Sequence, residues 1–327
     1  MSIGKVSVVM ATYNGEKYIF NQLESLRMQN YSIDEVIICD DCSTDKTLGI
    51  IQKYILTNSL TTWSVEQNTK NLGWKQTFWN LLHEAHYDFI FLSDQDDIWN
   101  INKINLLRSI MFKNQEIQLL ASAFTPFYKN NINLLLNEGS DSNNDIRIDK
   151  LAFVDNFLKV TRPGCSFVIR KTLVSDADSY WSKNQPHDFV LWNTALLNGG
   201  AYLLNQSLIY WRVHHTSADF SRKYSVREMI LNPVNVHHTA LIKKKQYIDF
   251  NLSFLSECIQ NRNNKYFSIV STKYNFLTLR KKYLVEHSFF LFFRSFLKYN
   301  KNYHLKMCLG DIYFIFGSKI FGSEDIS

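Results

Sequence analysis

Three acidic side chains lie within four consecutive positions, directly after an apolar segment of the sequence. Asp94, Asp96 and Asp97, interrupted only by Gln95, follow residues 88–93 (DFIFLS). Carboxylates held this close together repel one another unless a counter-ion is present. Oxygen ligands at this density suit Mg²⁺ or Mn²⁺, whose coordination shells are often completed by substrate phosphates. The cluster therefore predicts a divalent metal site that holds a phosphorylated substrate, although a solvated turn is compatible with the same residues.

Two more polar clusters follow predicted strands. Residues 11–14 (ATYN) end the strand predicted at residues 5–11, and residues 40–45 (DDCSTD) end the one predicted at residues 35–39. Each cluster alone is equally compatible with a packed aromatic side chain or a helix N-cap. In an open α/β sheet, however, ligands bind beyond the carboxyl ends of the strands. Because three such ends carry polar groups, we expect them to converge on one binding site.

The order of the predicted elements indicates an α/β fold. Apolar, β-branched segments alternate with segments whose apolar residues recur at helical spacing. This alternation predicts a doubly wound, mostly parallel sheet with helices on both faces. The predicted strands are residues 5–11, 35–39, 61–67, 88–93, 117–125, 165–170 and 201–212, and the predicted helices include residues 16–29, 73–84 and 187–197.

Two common nucleotide-binding motifs are absent from the sequence. No Gly-x-Gly-x-x-Gly follows the first predicted strand, which argues against a dinucleotide-binding dehydrogenase. No glycine-rich loop ends in Gly-Lys-Ser or Gly-Lys-Thr, which argues against a P-loop enzyme. Phosphates would therefore be held mainly by a metal ion and by basic side chains.

Charge divides the 327-residue chain into two regions. Hydrophobic residues make up 46% of the chain, which excludes a disordered protein and allows a sizeable core. Residues 1–219 carry 19 Lys and Arg against 23 Asp and Glu, a net charge of −4, whereas residues 220–327 carry 17 against 7, a net charge of +10. The basic region is expected to meet an anionic partner. Nucleic acid is the least favoured of these partners, because no recognition motif accompanies the charge.

The cysteines and the first residues of the sequence predict a cytoplasmic protein. Five cysteines, an odd number, without a secretory segment predict reduced thiols. Met1 leads directly into a strand-like segment, so no signal peptide is expected. No apolar run reaches the roughly 18–20 residues that cross a bilayer. Cys39 and Cys42 have the spacing of half a zinc or redox site, but no second Cys/His pair of matching spacing follows.

The spacing of apolar residues changes from about residue 226 onward. We therefore predict two domains, a sheet domain at residues 1–225 and a basic, aromatic-rich helical region at residues 226–327. Two amphipathic helices are indicated there by apolar residues three, four or seven positions apart. A third segment, residues 288–299, carries four phenylalanines among its first six residues beside Arg294 and Lys298. This region fits either a helical hairpin packed on the main domain or a patch that binds an anionic membrane surface.

An ordered set of motifs resembles the family 2 glycosyltransferases, which have the GT-A fold, and in particular their rhamnosyltransferase-like branch. The resemblance covers about residues 4–218. Cys42 stands where the family's DDGSTD motif has a glycine. The matching segments are residues 6–14 (VSVVMATYN), 40–45 (DDCSTD), 71–73 (NLG), 91–99 (FLSDQDDIW), 162–165 (RPGC), 187–188 (HD) and 210–214 (YWRVH).

The resemblance implies roles in binding the donor. Ala11 and Tyr13 would line the base pocket, with Tyr13 stacked on a pyrimidine. Asp41 would accept a hydrogen bond from the base, Asp40 would support the same loop, and Asp94 would face the ribose or the sugar. The remaining residues expected to bind the nucleotide sugar are Asn14, Glu16, Asn71, Gly73, Lys75, Gln95 and Arg212.

The resemblance also implies a metal site and a catalytic base. Asp96 would be the principal metal ligand, with Asp97 beside it. Arg212 and His214 would approach the diphosphate, and His214 is included among the expected metal ligands. Asp188, at a predicted helix start, would take the proton from the acceptor hydroxyl. A negative charge that stabilises a helix N-terminus would be an equally simple role for Asp188.

These inferences lead to the hypothesis of an inverting, metal-dependent glycosyltransferase that uses Mn²⁺ or Mg²⁺. It would transfer a sugar from a nucleotide-diphosphate donor, with dTDP-L-rhamnose favoured by the resemblance, to a glycan acceptor in bacterial surface polysaccharide synthesis. A lipid-linked acceptor at the cytoplasmic face of the membrane would account for the basic region. Two alternatives remain. A nucleotidyltransferase would need a basic, glycine-rich loop after the first strand, and a non-catalytic carbohydrate-binding protein would tolerate loss of the acidic residues.

Overall fold

The computed structural model describes residues 4–127, 145–183, 185–213, 233–260, 265–303 and 305–321. The chain divides into two compact units, residues 1–220 and residues 221–327. The described residues of the first unit form a sheet with helices, and those of the second unit form helices. The predicted fold class, an α/β sheet domain with a helical C-terminal extension, is confirmed.

The described residues of the first unit form a nine-stranded sheet in the order β3-β2-β1-β4-β8-β6-β9-β5, with β7 beside β9. Strands β3, β2, β1 and β4 are parallel neighbours. Strand β8 is antiparallel to both β4 and β6, so β6 and its parallel neighbour β9 run in the same direction as β4. The strands are β1 (Val6–Thr12), β2 (Glu35–Asp40), β3 (Trp63–Gln67), β4 (Phe89–Ser93), β5 (Ile98–Trp99), β6 (Leu119–Phe127), β7 (Ile148–Lys150), β8 (Phe167–Arg170) and β9 (Ala201–Arg212).

Helices cover both faces of this sheet. They are α1 (Ile19–Arg27), α2 (Thr47–Thr57), α3 (Trp74–Glu84), α4 (Lys103–Lys113), α5 (Phe153–Asn156), α6 (Lys171–Ala177) and α7 (His187–Asn198). Val8 of β1 shares a buried cluster with Leu23, Ile51 and Leu107, which belong to α1, α2 and α4. Side chains alternate along a strand, so Val9 points to the opposite face. Helix α3 packs on β1 and β2 and contacts α6 and α7.

The carboxyl ends of the central strands meet at one edge of the sheet. Thr12 at the end of β1 is paired with Asp40 at the end of β2, and Met10 is paired with Ser93 at the end of β4. The chain therefore leaves all three strands on the same side, as the sequence predicted for a ligand site. Strands β5 and β7 were not predicted, because strands of two or three residues are too short to show an alternating pattern.

The second unit contains four described helices, α8 (Pro233–Gln260), α9 (Phe267–Val285), α10 (Phe289–Tyr299) and α11 (Leu305–Phe321). The buried carboxylate of Asp311 on α11 accepts two hydrogen bonds from Arg280 of α9, each 2.9 Å long. It also contacts the ammonium of Lys244 on α8 at 2.5 Å. An unpaired buried charge is very unfavourable, so the Asp311 carboxylate must keep its basic partners. These contacts link α8, α9 and α11, three of the four described helices. The sequence indicated helices at α8, α9 and α10, but not at α11.

None of the described helices in either unit is both long enough and apolar enough to span a bilayer.

Candidate active site

A cavity of about 850 Å³ opens at the edge of the sheet where β1, β2 and β4 end. The residues around it come from the loops after these strands, from the start of α3 and α7, and from the end of β9. Twelve of the predicted site residues line it: Ala11, Tyr13, Asn14, Glu16, Asp41, Asn71, Gly73, Asp94, Gln95, Asp96, Asp188 and Arg212. Asp40, Lys75 and Asp97 do not line it, and His214 lies outside the described residues.

Asp41 organises the loop that leads into α3. Its buried carboxylate accepts hydrogen bonds from the Asn68 side chain and from the backbone N–H groups of Leu72 and Gly73, each 2.8 Å long. Gly73 has a φ of +81°, a conformation that glycine adopts without steric cost. The Asn71 side chain donates to the Asp41 carbonyl at 3.0 Å. Asp41 therefore holds Asn71 and Gly73 beside it, although they lie 30 and 32 positions further along the sequence.

Asp40 lies beneath this loop and is completely buried. Its carboxylate accepts hydrogen bonds from the hydroxyls of Thr12, at 3.0 Å, and Ser43, at 2.6 Å. The Gln67 side chain donates to the same carboxylate at 3.1 Å. Asp40 therefore links the ends of β1, β2 and β3. It does not face the cavity, which corrects its place among the nucleotide-sugar-binding residues.

Cys42 adopts the backbone conformation that would suit the glycine of the family's DDGSTD motif. Its φ is +63°, in the left-handed region that usually favours glycine. Its thiol donates to the Asn68 carbonyl at 3.0 Å. The loop after β2 thus has the conformation that a glycine would adopt most readily, even though the residue is cysteine.

Gln95 connects the loop after β4 to the loop after β1. The Tyr13 N–H donates to Gln95 Oε1 at 2.9 Å, and Gln95 Nε2 donates to the Tyr13 carbonyl at 3.0 Å. A Cβ atom at Gly15 would lie only 2.3 Å from Gln95 Oε1, so this contact requires a glycine. Tyr13 itself is 48% exposed. We call this pair of hydrogen bonds the Gln95 clamp; the sequence could not indicate it.

The carboxylate cluster divides into exposed and buried members. Asp94 and Asp96 line the cavity. Asp97 is only 1% exposed, and its Oδ1 accepts a hydrogen bond of 3.0 Å from the Arg212 N–H. Burial and the charge of Asp96 raise the pKa of Asp97 to about 7. Burial and the charges of Asp97 and Asp96 also raise the pKa of Asp94 well above its usual range. The position of Asp97 behind the cavity wall disfavours it as a direct ligand of a metal in the cavity.

Cys165 completes the buried side of this cluster. Ligand atoms of Asp94, Asp97 and Cys165 all lie within 4.8 Å of one another, which makes them a candidate metal-binding group among the described residues. Burial raises the pKa of the Cys165 thiol well above its usual range, so the thiol stays protonated. A thiol is a poor partner for Mg²⁺ or Mn²⁺, which prefer oxygen ligands. An ion of this kind therefore fits the oxygens that face the cavity.

Lys103 is a buried cation beneath the cluster that the sequence analysis missed. Its side chain is completely buried, and its Nζ donates to the Cys165 carbonyl at 2.8 Å. The same Nζ lies 3.3 Å from the centre of the Trp99 ring. Burial lowers the pKa of Lys103 to about 7. The sequence carries one signal for this residue. Lys103 lies next to Ile104 and four positions before Leu107, so it falls on the apolar, buried face of a helix.

Arg212 joins the end of β9 to the carboxylate loop. Its Nε donates to the Asp96 carbonyl at 2.7 Å, and its guanidinium lies 4.6 Å from the centre of the Tyr18 ring. These contacts hold the loop in place together with the Gln95 clamp. Tyr18 also lines the cavity, and the sequence analysis did not identify it.

Asp188 lies at the start of α7 on another wall of the cavity. Its Oδ1 accepts a hydrogen bond of 2.8 Å from the Phe189 N–H. Burial lowers the pKa of the Lys75 ammonium, and the nearby carboxylate of Asp188 opposes that shift. Lys75 therefore lies within electrostatic reach of Asp188 instead of lining the cavity. A direct contact between Lys75 and the nucleotide sugar stays a prediction.

His187 and the start of α3 form an aromatic wall next to Asp188. The His187 ring is stacked on Phe78, with ring centres 4.2 Å apart, and meets the Trp74 ring edge-on at 5.7 Å. Burial lowers the pKa of His187 to about 3, so the imidazole is neutral. All three rings line the cavity, and the sequence analysis assigned none of them a function.

Comparison with known proteins places this geometry in a family. The chain is 28% identical over 240 residues to the dTDP-rhamnosyl transferase RfbG of Shigella flexneri, covering 68% of this chain and 79% of that protein. It is 33% identical over 115 residues to the UDP-Glc:alpha-D-GlcNAc-diphosphoundecaprenol beta-1,3-glucosyltransferase WfgD of Escherichia coli, covering 33% of this chain and 42% of that protein.

A solved structure shares the fold. The crystal structure of TarS 1-349 of S. aureus in complex with UDP-GlcNAc matches with a TM-score of 0.59 and 20% sequence identity, covering 85% of this chain and 72% of that one. The family model "Glycosyl transferase family 2" matches residues 7–177, just over half of the chain. This match confirms the resemblance in the sequence, and the protein is therefore a glycosyltransferase. The family match agrees with the cavity and the acidic loops at the carboxyl ends of the strands, and the chain belongs to glycosyltransferase family 2.

Proposed function

We propose that this glycosyltransferase transfers a sugar, with inversion, from a nucleotide-diphosphate donor to a glycan acceptor in bacterial polysaccharide synthesis. One observation carries the proposal. A single cavity is lined by Tyr13 and Asp41 from the first two strand ends, by Asp94 and Asp96 from the third, and by Asp188 from α7. A base pocket, a phosphate site and a general base are the parts that such a transfer requires.

The donor proposal extends to dTDP-L-rhamnose. Tyr13 would stack on the pyrimidine, with Ala11 beneath it and Asp41 at the edge of the base. Asn14, Glu16, Asn71 and Gly73 line the same part of the cavity. The similarity to a dTDP-rhamnosyl transferase over 68% of the chain supports thymidine and rhamnose over other donors.

A divalent metal, Mn²⁺ or Mg²⁺, fits the carboxylates that face the cavity. Burial and mutual repulsion raise the pKa values of Asp94 and Asp97, and a cation would relieve that repulsion. Asp96 and Asp94 would hold the ion, with Asp97 supporting their loop from behind. When bound, the metal would offset negative charge on the departing diphosphate.

Asp188 would act as the general base. The acceptor hydroxyl is a poor nucleophile until its proton is removed. As the acceptor oxygen forms its bond to the anomeric carbon, the proton passes to the Asp188 carboxylate. The bond from the anomeric carbon to the phosphate oxygen breaks, and its electron pair leaves with the nucleoside diphosphate. Attack opposite to the leaving group inverts the configuration at that carbon.

The decisive experiment separates donor binding from transfer. We would measure thermal stabilisation by dTDP-, UDP- and GDP-sugars with and without MnCl₂, because a ligand that binds only the folded state raises its stability. We expect dTDP-rhamnose to stabilise the protein most, and only with the metal present. Asp96→Asn should abolish this metal-dependent stabilisation. Asp149→Asn, at an exposed position on β7 outside the cavity, is the matched control and should behave like the native chain.

Turnover tests the base. Asp188→Asn should keep donor stabilisation but lose transfer by about 10²–10⁴-fold, the usual contribution of a positioned base. Transfer by Asp188→Asn within tenfold of the native rate would contradict the assignment. A loss of donor stabilisation without a change in transfer chemistry would move Asp188 into the binding site instead.

We further propose that the second unit binds an anionic membrane surface at the cytoplasmic face, where a lipid-linked acceptor would be found. Phe290, Phe293 and Leu297 form an exposed stripe on α10, interspersed with Arg294 and Lys298. A second exposed stripe runs along α11 at Leu305, Leu309, Tyr313 and Phe316, and Phe289 and Phe316 pack with ring centres 5.7 Å apart. Apolar stripes among basic side chains favour anionic lipid surfaces.

The similarity to WfgD, whose name includes a diphosphoundecaprenol-linked sugar, supports a lipid-linked acceptor. Co-sedimentation with phosphatidylglycerol vesicles tests the surface. The double variant Phe290→Glu/Phe293→Glu should lose binding, whereas Phe20→Glu, at an equally exposed phenylalanine of the first unit, should not. Undiminished binding by the double variant would exclude α10 as the contact.

A further inference from the structure

The cavity wall next to Asp188 carries a second exposed aromatic ring. Trp74 is 42% exposed, whereas Phe78 and Trp79, on the same helix α3, are 4% and 5% exposed. Leaving a large aromatic surface in contact with water forgoes the stabilisation that burial would give. Trp74 lines the cavity, so its uncovered surface faces the space that a substrate would occupy.

The Trp74 ring has a fixed and uncharged support. It meets the His187 ring at an interplanar angle of 81°, and His187 in turn lies nearly parallel to Phe78, at 25°. Buried His187 is neutral, because its surroundings lower its pKa to about 3. Trp74 packs against His187, and His187 packs against Phe78, which restricts rotation of the Trp74 ring. The face of Trp74 is therefore preorganised for stacking.

This surface lies beside the proposed base. His187, which contacts Trp74, directly precedes Asp188 in the chain. At Gly164 a Cβ atom would lie 3.1 Å from the Asp188 Cβ and 3.2 Å from His187 Nε2. A side chain at Gly164 would therefore crowd His187 and Asp188, and the glycine lets its loop pack closely against the aromatic wall. Pro163 and Gly164 also line the cavity.

We propose that Trp74 is the platform on which a pyranose ring of the acceptor stacks while one of its hydroxyls reaches Asp188. A pyranose has an apolar face of C–H groups and a polar edge of hydroxyls, so it fits an aromatic face that lies next to a carboxylate. The donor base already has an exposed aromatic partner, Tyr13, on the loop after β1. This inference rests on the proposed function, because it names the substrate class that Asp188 would deprotonate.

Saturation-transfer NMR tests the platform with defined probes. The native chain, Trp74→Phe and Trp74→Ala would be compared with methyl α-N-acetylglucosaminide and methyl α-rhamnoside, in the presence of dTDP and MnCl₂. Phe20→Ala, at an exposed aromatic outside the cavity, is the matched control. The affinity for dTDP would be measured separately by calorimetry for every variant.

The platform predicts saturation of ring C–H protons on one face of a glycoside by the native chain. Trp74→Ala should weaken glycoside binding about tenfold, as expected for the loss of one aromatic stacking contact, while Trp74→Phe keeps part of it. The affinity for dTDP should stay within about twofold in both variants. Phe20→Ala should match the native chain in both measurements.

Three results would overturn the inference. The first is glycoside binding that Trp74→Ala leaves unchanged, and the second is the absence of any glycoside saturation in a native chain that binds dTDP. The third is a loss of dTDP affinity in Trp74→Ala, which would assign the ring to the donor. A native chain that binds glycosides through Trp74 but binds no nucleotide would instead refute the proposed nucleotide-diphosphate donor and leave the platform standing.

Discussion

Replacing Gln95 by methionine should weaken nucleotide binding while leaving the fold of the sheet unchanged. The amide of Gln95 accepts from the Tyr13 N–H at 2.9 Å and donates to the Tyr13 carbonyl at 3.0 Å. Methionine has a similar length but can make neither hydrogen bond. The substitution therefore removes both hydrogen bonds to the backbone of Tyr13, the residue proposed to stack on the donor base. The methionine side chain still fills the space beside Gly15.

The size of the effect follows from the two hydrogen bonds. Each contributes on the order of 1 kcal/mol, so the Gln95 clamp is worth about 2 kcal/mol. If all of this appears in binding, affinity falls about 30-fold, since about 1.4 kcal/mol corresponds to tenfold. The loop keeps two other hydrogen bonds, from the Asn14 N–H to Ser43 at 2.9 Å and from the Thr44 N–H to Asn14 at 2.8 Å. We therefore expect a loss between about threefold and 30-fold.

Calorimetric titration with dTDP and with UDP, in the presence of MnCl₂, measures this loss. Gln118→Met is the matched control, because the Gln118 side chain bonds to Asp176 at 3.2 Å, outside the cavity. Thermal unfolding of both variants checks that the fold is intact. An affinity of Gln95→Met within twofold of the native value, in a folded protein, would refute the reasoning that the Gln95 clamp positions Tyr13.

Two further substitutions test the surroundings of the cavity. Lys103→Met should lower the free energy of unfolding by about 1–3 kcal/mol, because it removes the hydrogen bond to the buried Cys165 carbonyl; a chemical-denaturation midpoint equal to that of the native chain would contradict this. Cys42→Gly should have a free energy of unfolding about 0.5 kcal/mol above that of Cys42→Ala, since both lose the thiol hydrogen bond to the Asn68 carbonyl and the relief of a left-handed backbone, worth about 1–2 kcal/mol, exceeds the extra chain entropy of glycine. Cys42→Ala keeps the strained backbone and is the comparison; if it is the more stable of the two, the strain argument is wrong.

The acidic loop shows how burial assigns roles that sequence spacing cannot. Asp94, Asp96 and Asp97 are equivalent in the sequence as carboxylates after an apolar strand. In the structure Asp97 turns inward to the Arg212 N–H, whereas Asp94 and Asp96 face the cavity. A single step along the chain, from Asp96 to Asp97, is enough to reverse which way the side chain points. The proposed metal site keeps Asp96 as its principal ligand, and we propose Asp94 in place of Asp97 as the second.

The sequence determined the sheet and the position of the site, because both are encoded locally. The apolar segments that became β1, β2 and β4 were recognisable from residue type alone, since each strand is buried along most of its length. Polar clusters directly after those strands had to emerge at a common edge once the strands ran parallel. The polar clusters at residues 11–14, 40–45 and 94–97 end or directly follow β1, β2 and β4 at this edge.

Tertiary structure decided the contacts between residues distant in the chain. The Gln95 clamp joins residues 82 positions apart, and Lys103 reaches a carbonyl 62 positions away. The wall of Trp74, Phe78 and His187 forms only when α3 and α7 pack together. No local pattern carries such information, because hydrogen bonding and burial depend on which segments meet. The sequence therefore located the chemistry at one edge of the sheet, and packing decided which side chains face the substrate and which hold the others in place.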